Sequence, residues 1–331
     1  MPVRFIRIAA ALLMAAAHVA AAQAPERLVL STDWFAEAEH GGFYQAIAEG
    51  IYRRHGLDVV VQMGGPQVNG LQLAAAGRID IAMGDALQVL AASEQHVPLV
   101  AIAATFQKNP TVIIAHPGVS SLADLKGKPV AVGAASNTTF WPWLKTRYGF
   151  NDAQKRPYGF SVQPFLADPK LSQQGFVTSE PYTIEKAGIT PKVFLLADLG
   201  YPPYSEVLIV SRATLATRAD ALRRFIVASA EGWQSYLADP APGNALIRKA
   251  NPQMTDELLA YGYRKMKEYR LVDGGDAVQH GLLSMTDARW QASVAFIRDA
   301  GIAKPGVDYT QAWTTALSLD TRAPADASPP R

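Results

Sequence analysis

Short β-branched runs alternate with helix-spaced segments along this chain, and that alternation restricts its fold more than any other feature. Residues 27–32 form a β-rich run. Residues 42–55 then carry apolar side chains at helical spacing (Phe43, Ala46, Ile47, Ile51), closed by Gly56. A valine-rich strand at 57–62, a helix at 66–76 ended by Gly77, a short strand at 79–83, a helix at 86–95 and strands at 97–105 and 111–115 follow. This β-α-β-α-β order predicts an α/β fold with a mostly parallel sheet covered by helices.

A second unit follows. Ser120 and Ser121 cap a short helix through Lys126, and residues 129–132 read as a strand. Residues 133–139 form a small-residue loop before a helix at 140–148. Strands are expected at 160–165, 176–178, 193–196 and 207–211, the last returning to the first sheet. Helices are expected at 219–237, 245–250, 256–269 and 287–300. One sheet interrupted by a smaller inserted unit predicts two α/β lobes with a ligand cleft between them. Lobe I comprises residues 27–112 and 205–318, and lobe II residues 113–204.

The two ends read differently. Arg4 and Arg7 precede an apolar run over residues 8–22, with Ala20-Ala21-Ala22 before Gln23, the form of a secretory signal peptide over 1–22. Residues 319–331 are rich in Pro, Ala and Asp and read as a disordered tail. The net charge of +2 falls to zero once Arg4 and Arg7 are removed. No basic stripe suggests nucleic acid. The chain has no cysteine, which excludes disulfides, thiolate metal sites and a cysteine-anchored lipoprotein. A periplasmic, soluble, monomeric protein is expected.

Candidate site residues gather where strands give way to helices, the place an open α/β sheet puts a ligand. Asp33, Trp34, His40 and Tyr44 lie in the first such turn, Asp85 in the third, and Phe106 after a later strand. Asn137, Thr138 and Trp141 mark the small-residue loop and its helix, and Glu180 and Tyr182 a further helix start. Trp34, Tyr44, Phe106 and Trp141 can sandwich a planar ring. Asp33, Asp85 and Glu180 can accept hydrogen bonds from ring amino groups, although Asp85 is equally placed to cap the helix after it. Asn137 or Thr138 can hold an anion or a carbonyl, or simply cap a helix. His40-Gly41-Gly42 offers a ligand hydrogen bond and close backbone approach. The six histidines show no metal-ligand spacing, so no metal is expected. Lys108 is the one cation near these loops, which argues against small anions.

Longer motifs carry a family resemblance. Asp33-Trp34-Phe35, then Glu39-His40-Gly41-Gly42-Phe43-Tyr44, Gly50-Ile51-Tyr52 and Gly56-Leu57-Asp58-Val59 form the first. Residues 73–85, 121–128 and 175–182 supply three more. Together they resemble the periplasmic solute-binding proteins of ABC importers in the thiamine-precursor, sulfonate and nitrate group. The resemblance implies a type II periplasmic-binding-protein fold that closes on a solute and delivers it to a permease and its ATPase. It implies no catalysis and no cofactor. Fungal enzymes of the same superfamily carry a cysteine-rich iron motif, which this chain lacks.

The acidic and aromatic loops favour a neutral or weakly basic heteroaromatic, such as a thiamine-precursor pyrimidine. Nitrate, a sulfonate such as taurine, or a flavin are the alternatives. An exported enzyme on the same fold would need a base such as His40 beside Asp33 or Asp85, and no nucleophile elbow or phosphate loop accompanies them. A module reporting to a membrane receptor would share the same site. Glu37 and Glu49 are candidate permease contacts.

Overall fold

The computed structural model describes residues 24–318. The predicted signal peptide and C-terminal tail lie outside them. Among the described residues no helix is long and apolar enough to cross a membrane.

Among the described residues ten strands carry the fold: β1 (Glu26–Ser31), β2 (Leu57–Gln62), β3 (Ile81–Gly84), β4 (Leu99–Phe106), β5 (Thr111–Ala115), β6 (Val130–Val132), β7 (Lys155–Pro157), β8 (Ser172–Phe176), β9 (Lys192–Leu195) and β10 (Ser205–Ser211). They form two five-stranded sheets, ordered β2-β1-β3-β10-β4 and β7-β6-β8-β5-β9. Each sheet is mostly parallel with one antiparallel strand. β10 runs antiparallel between β3 and β4, and β5 runs antiparallel between β8 and β9. These two strands are where the chain changes sheet, so the lobes are joined by two crossovers. Lys108 on the first and Asp198 on the second form an ion pair at 2.5 Å. The structure thus uses Lys108 to tie the crossovers together.

β4 and β10 are buried at every position, and their apolar stretches 99–104 and 207–210 are those of strands covered on both faces. β4 is nonetheless an edge. The C-terminal segment shields it through a bridge between Ala101 and Trp313, whose indole stacks on Trp290 at 5.2 Å.

Gly41 and Gly42 open the helix Gly41–Ala48, which packs on the long helix Arg212–Ala238. A Cβ at Gly41 would lie 2.1 Å from the Tyr236 ring, and one at Gly42 2.2 Å from Trp233. The glycine pair therefore brings two helices together and does not draw backbone toward a solute.

Several sequence expectations are corrected. The helix expected at 42–55 is two helices, Gly41–Ala48 and Ile51–Arg54. Residues 160–165 form no strand: Gln163–Ala167 is helical, and the edge strand is β7, whose charged Lys-Arg-Pro sequence hides it. The strand expected at 176–178 ends at Phe176.

Candidate functional site

A cleft of about 1060 Å³ opens between the two sheets. Its lobe I wall begins where β1 ends. The Thr32 hydroxyl donates to the Trp34 carbonyl at 2.7 Å and accepts from the Gly64 N–H at 3.0 Å, locking the turn that carries Asp33 and Trp34. A Cβ at Gly64 would sit 2.1 Å from the Thr32 carbonyl oxygen, so only glycine allows this approach. Asp33 and Trp34 both face the cleft.

Behind Asp33 stands His40, 1% exposed, with Nε2 3.3 Å from Asp33 Oδ1. Glu206 of β10 lines the same floor, and ligand atoms of Asp33, His40 and Glu206 all lie within 4.8 Å of one another. Burial raises Asp33, but the His40 hydrogen bond and charge outweigh it and hold the carboxyl below its usual range. Burial, then the neighbouring Asp33, pushes Glu206 well above the ordinary range. Glu206 Oε2 is buried with no hydrogen-bond partner. Its backbone stands at φ 51°, a conformation that costs about 1–3 kcal/mol outside glycine.

Two other acids nearby are fully engaged. Asp85 Oδ1 accepts from the Leu87 N–H at 2.9 Å and Oδ2 from the Asn109 amide at 3.1 Å. It caps its helix in a capping box with Gln88 while lining the cleft, and burial lifts its carboxyl to about 6. Glu180 Oε1 accepts from the Tyr158 hydroxyl at 2.7 Å and Oε2 from the Phe176 N–H at 2.8 Å. Burial raises it, and those two donors oppose the rise.

Lobe II closes the cleft with residues 132–137, Thr139, Phe140, residues 155–158, Phe160 and Gln174. Gln174 Oε1 accepts from the Gly133 N–H at 2.6 Å and the Ser136 hydroxyl at 2.5 Å, fixing the small-residue loop. Phe160, 45% exposed at φ 55°, reaches across to Trp34 with ring centroids 4.4 Å apart. Tyr158 packs edge-on to Phe160 at 5.1 Å. An aromatic ridge thus runs from one lobe to the other above an acidic floor.

Of the sequence candidates, Asp33, Trp34, Asp85 and Asn137 line this cleft. Asn137 donates to the Ala134 carbonyl and accepts from Lys155 Nζ at 2.8 Å. His40 contributes from behind Asp33. Glu180 supports the wall through Tyr158. The structure takes the others elsewhere. Tyr44 is buried on its helix, and Phe106 is core against Trp233. Trp141 is 1% exposed and donates its indole N–H to Asp152 at 2.9 Å. Thr138 is exposed and bonds back to the Ala135 carbonyl. Tyr182 packs on Tyr261, away from the cleft. Apolar side chains beside strand ends went inward because each lobe had a core to fill.

Glu37 is buried rather than a surface contact; burial and the adjacent Glu39 and Glu180 raise its carboxyl well above normal. Glu39 accepts from the Thr178 hydroxyl, joining the first turn to lobe II. Lys155 and Arg156 line the cleft, so Lys108 is not the cation nearest the site. Lys155 pairs with Asp152 at 3.1 Å. The sequence reading missed Glu206, Tyr158, Phe160 and Gln174. Only Glu206 carried a signal: an acid set directly against the apolar run 207–210.

Two α/β lobes joined by two crossovers around a lined cleft define the periplasmic-binding-protein class of fold. The chain belongs to the NMT1/THI5-like family, whose model matches residues 37–242. A riboflavin-binding protein, RibY, from Chloroflexus aurantiacus is 25% identical over 300 residues, covering 87% of this chain and 85% of that protein. A formylaminopyrimidine-binding protein from Halalkalibacterium halodurans is 24% identical over 228 residues, covering 66% of this chain and 68% of that protein. Among solved structures, the periplasmic aliphatic sulphonate-binding protein SsuA from Escherichia coli superposes with TM-score 0.64 at 14% identity, covering 87% of this chain and 91% of that one.

Proposed function

We propose that this protein is the extracytoplasmic, monomeric solute-binding component of an ABC importer, and that it binds a flat, nitrogen-rich heteroaromatic between its lobes. The contact of Trp34 with Phe160 across the cleft carries the reading. Two rings from different lobes, above carboxylates that can accept from ring N–H groups, suit an aromatic rich in donors. We assign residues 27–112 and 205–318 to lobe I and 113–204 to lobe II. A signal peptide over 1–22 would export the chain, and a permease with its ATPase would receive the solute.

A planar ring held between Trp34 and Phe160 needs about 7 Å of separation, twice the carbon–carbon contact distance. The rings stand closer than that, so binding requires the Phe160 loop to move or the lobes to part. A ligand touching both walls then selects the conformation that holds it. The cleft volume of about 1060 Å³ lies at the upper end for small-molecule sites and favours a fused ring system such as a flavin over a single pyrimidine. The name of the relative that spans 87% of this chain points the same way. An aminopyrimidine thiamine precursor is the second reading, supported by the other relative's name.

The acids argue against a sulfonate or nitrate. Asp33, Asp85 and Glu206 face Lys155 and Arg156, and Lys155 is already paired with Asp152. Titration of the mature protein with riboflavin, followed by flavin fluorescence, and with an aminopyrimidine, followed by calorimetry, tests the proposal. Saturable one-to-one binding of either heteroaromatic without turnover is expected. Binding of taurine or nitrate alone overturns it.

A further inference from the structure

We infer that Asp33, His40 and Glu206 form a binding site for a first-row divalent metal ion on the cleft floor. The donors come from three places: the turn after β1, the start of the following helix, and β10. Their ligand atoms lie within 4.8 Å of one another. Donors around one such ion at metal–ligand bonds near 2.1 Å stand about 3.0–4.4 Å apart, so small side-chain movements complete the set. One imidazole nitrogen and two carboxylates suit a zinc-, iron- or manganese-type ion and not a thiophilic one.

The second observation is Glu206 itself. It is 2% exposed, its Oε2 has no hydrogen-bond partner, and it lines the cleft. Asp85 in the cleft and Glu180 behind its wall are both satisfied by N–H or hydroxyl donors. Two carboxylates buried side by side, one with an oxygen that no protein donor reaches, repel one another unless a cation or a shared proton sits between them. The left-handed backbone that aims Glu206 at Asp33 adds local strain to the same residue. Asp33 and Glu206 border the cleft, so the ion keeps a coordination position open toward it. A ring nitrogen or carbonyl oxygen of the solute would fill that position. The inference extends the proposed function by adding a metal contact, but metal binding is measurable without any solute.

The test uses the mature protein freed of metal by chelation. Zn²⁺ and Mn²⁺ are titrated against a competing indicator, and Co²⁺ is followed by its visible absorption. One ion per chain is expected, with an intensified Co²⁺ band distinct from the aquo ion. His40→Ala and Glu206→Gln should each weaken binding at least tenfold while the far-UV circular dichroism holds. The Co²⁺ band of the unsubstituted protein reads the site even where a variant fails to fold. An aquo-like Co²⁺ spectrum, or affinity unchanged in both variants, overturns the site and leaves a proton shared by Asp33 and Glu206 as the occupant. Riboflavin titration with and without chelator separates the two proposals. Solute binding indifferent to chelator, with no metal taken up, removes the metal site alone. Loss of all heteroaromatic binding with the metal site intact removes the solute reading alone.

Discussion

Glu180 and Glu206 are both buried acids near the cleft, and they serve opposite ends. Glu180 accepts from the Tyr158 hydroxyl and the Phe176 N–H and so ties β7, β8 and the next helix into one wall. Glu206 leaves an oxygen unpartnered at a strained backbone position. The same contrast separates two indoles. Trp141 is enclosed, with its N–H given to Asp152, whereas Trp34 faces the cleft and meets the opposite lobe through Phe160. Polar and aromatic groups satisfied within the fold build it; those left with an open face are available to a ligand.

Substitutions can break this contrast. Trp141→Ala should destabilise the protein most, by about 3–5 kcal/mol, measured by urea unfolding, because it empties a packed core. Glu180→Ala should cost about 2–4 kcal/mol in the same assay, since two donors lose their partner. Trp34→Ala should leave stability within about 1 kcal/mol and weaken riboflavin binding roughly 30- to 150-fold, from lost stacking and burial. Unchanged affinity would remove Trp34 from the site. Glu206→Gln should shift the urea midpoint little or upward, because burial already disfavours the charged carboxylate beside Asp33 and the amide is a neutral group of the same shape. A loss as large as that of Glu180→Ala would erase the distinction between the two acids.

The smallest effect is a pH dependence. Asp85 ionises near 3.8 when unfolded and at about 6 when folded. The native state therefore holds the proton to higher pH, and this group's contribution to stability falls as pH rises between those values. Asp85→Asn can still cap the helix and should flatten that slope, read as unfolding midpoints at pH 4 and pH 7. An unchanged slope would mean that burial does not govern Asp85.

The alternating pattern determined the α/β class, most strand positions in the first lobe and the return of β10 to the first sheet. Local order also determined that Asp33, Trp34 and Asp85 stand at strand ends, because a strand-to-helix turn exposes its residues at one edge of the sheet. Only the tertiary structure decided that Tyr44, Phe106 and Trp141 turn inward. Strand-end aromatics look alike in sequence whether they face a cleft or a core, and packing against Trp233 or a bond to Asp152 exists only once distant segments meet. Phe160 is placed opposite Trp34 by a loop that local pattern reads as a strand. Glu206 reaches Asp33 and His40 because β10 inserts between β3 and β4. Sequence neighbours fix secondary structure through short-range periodicity, whereas a cleft floor is assembled across sheet order, which no short-range pattern encodes.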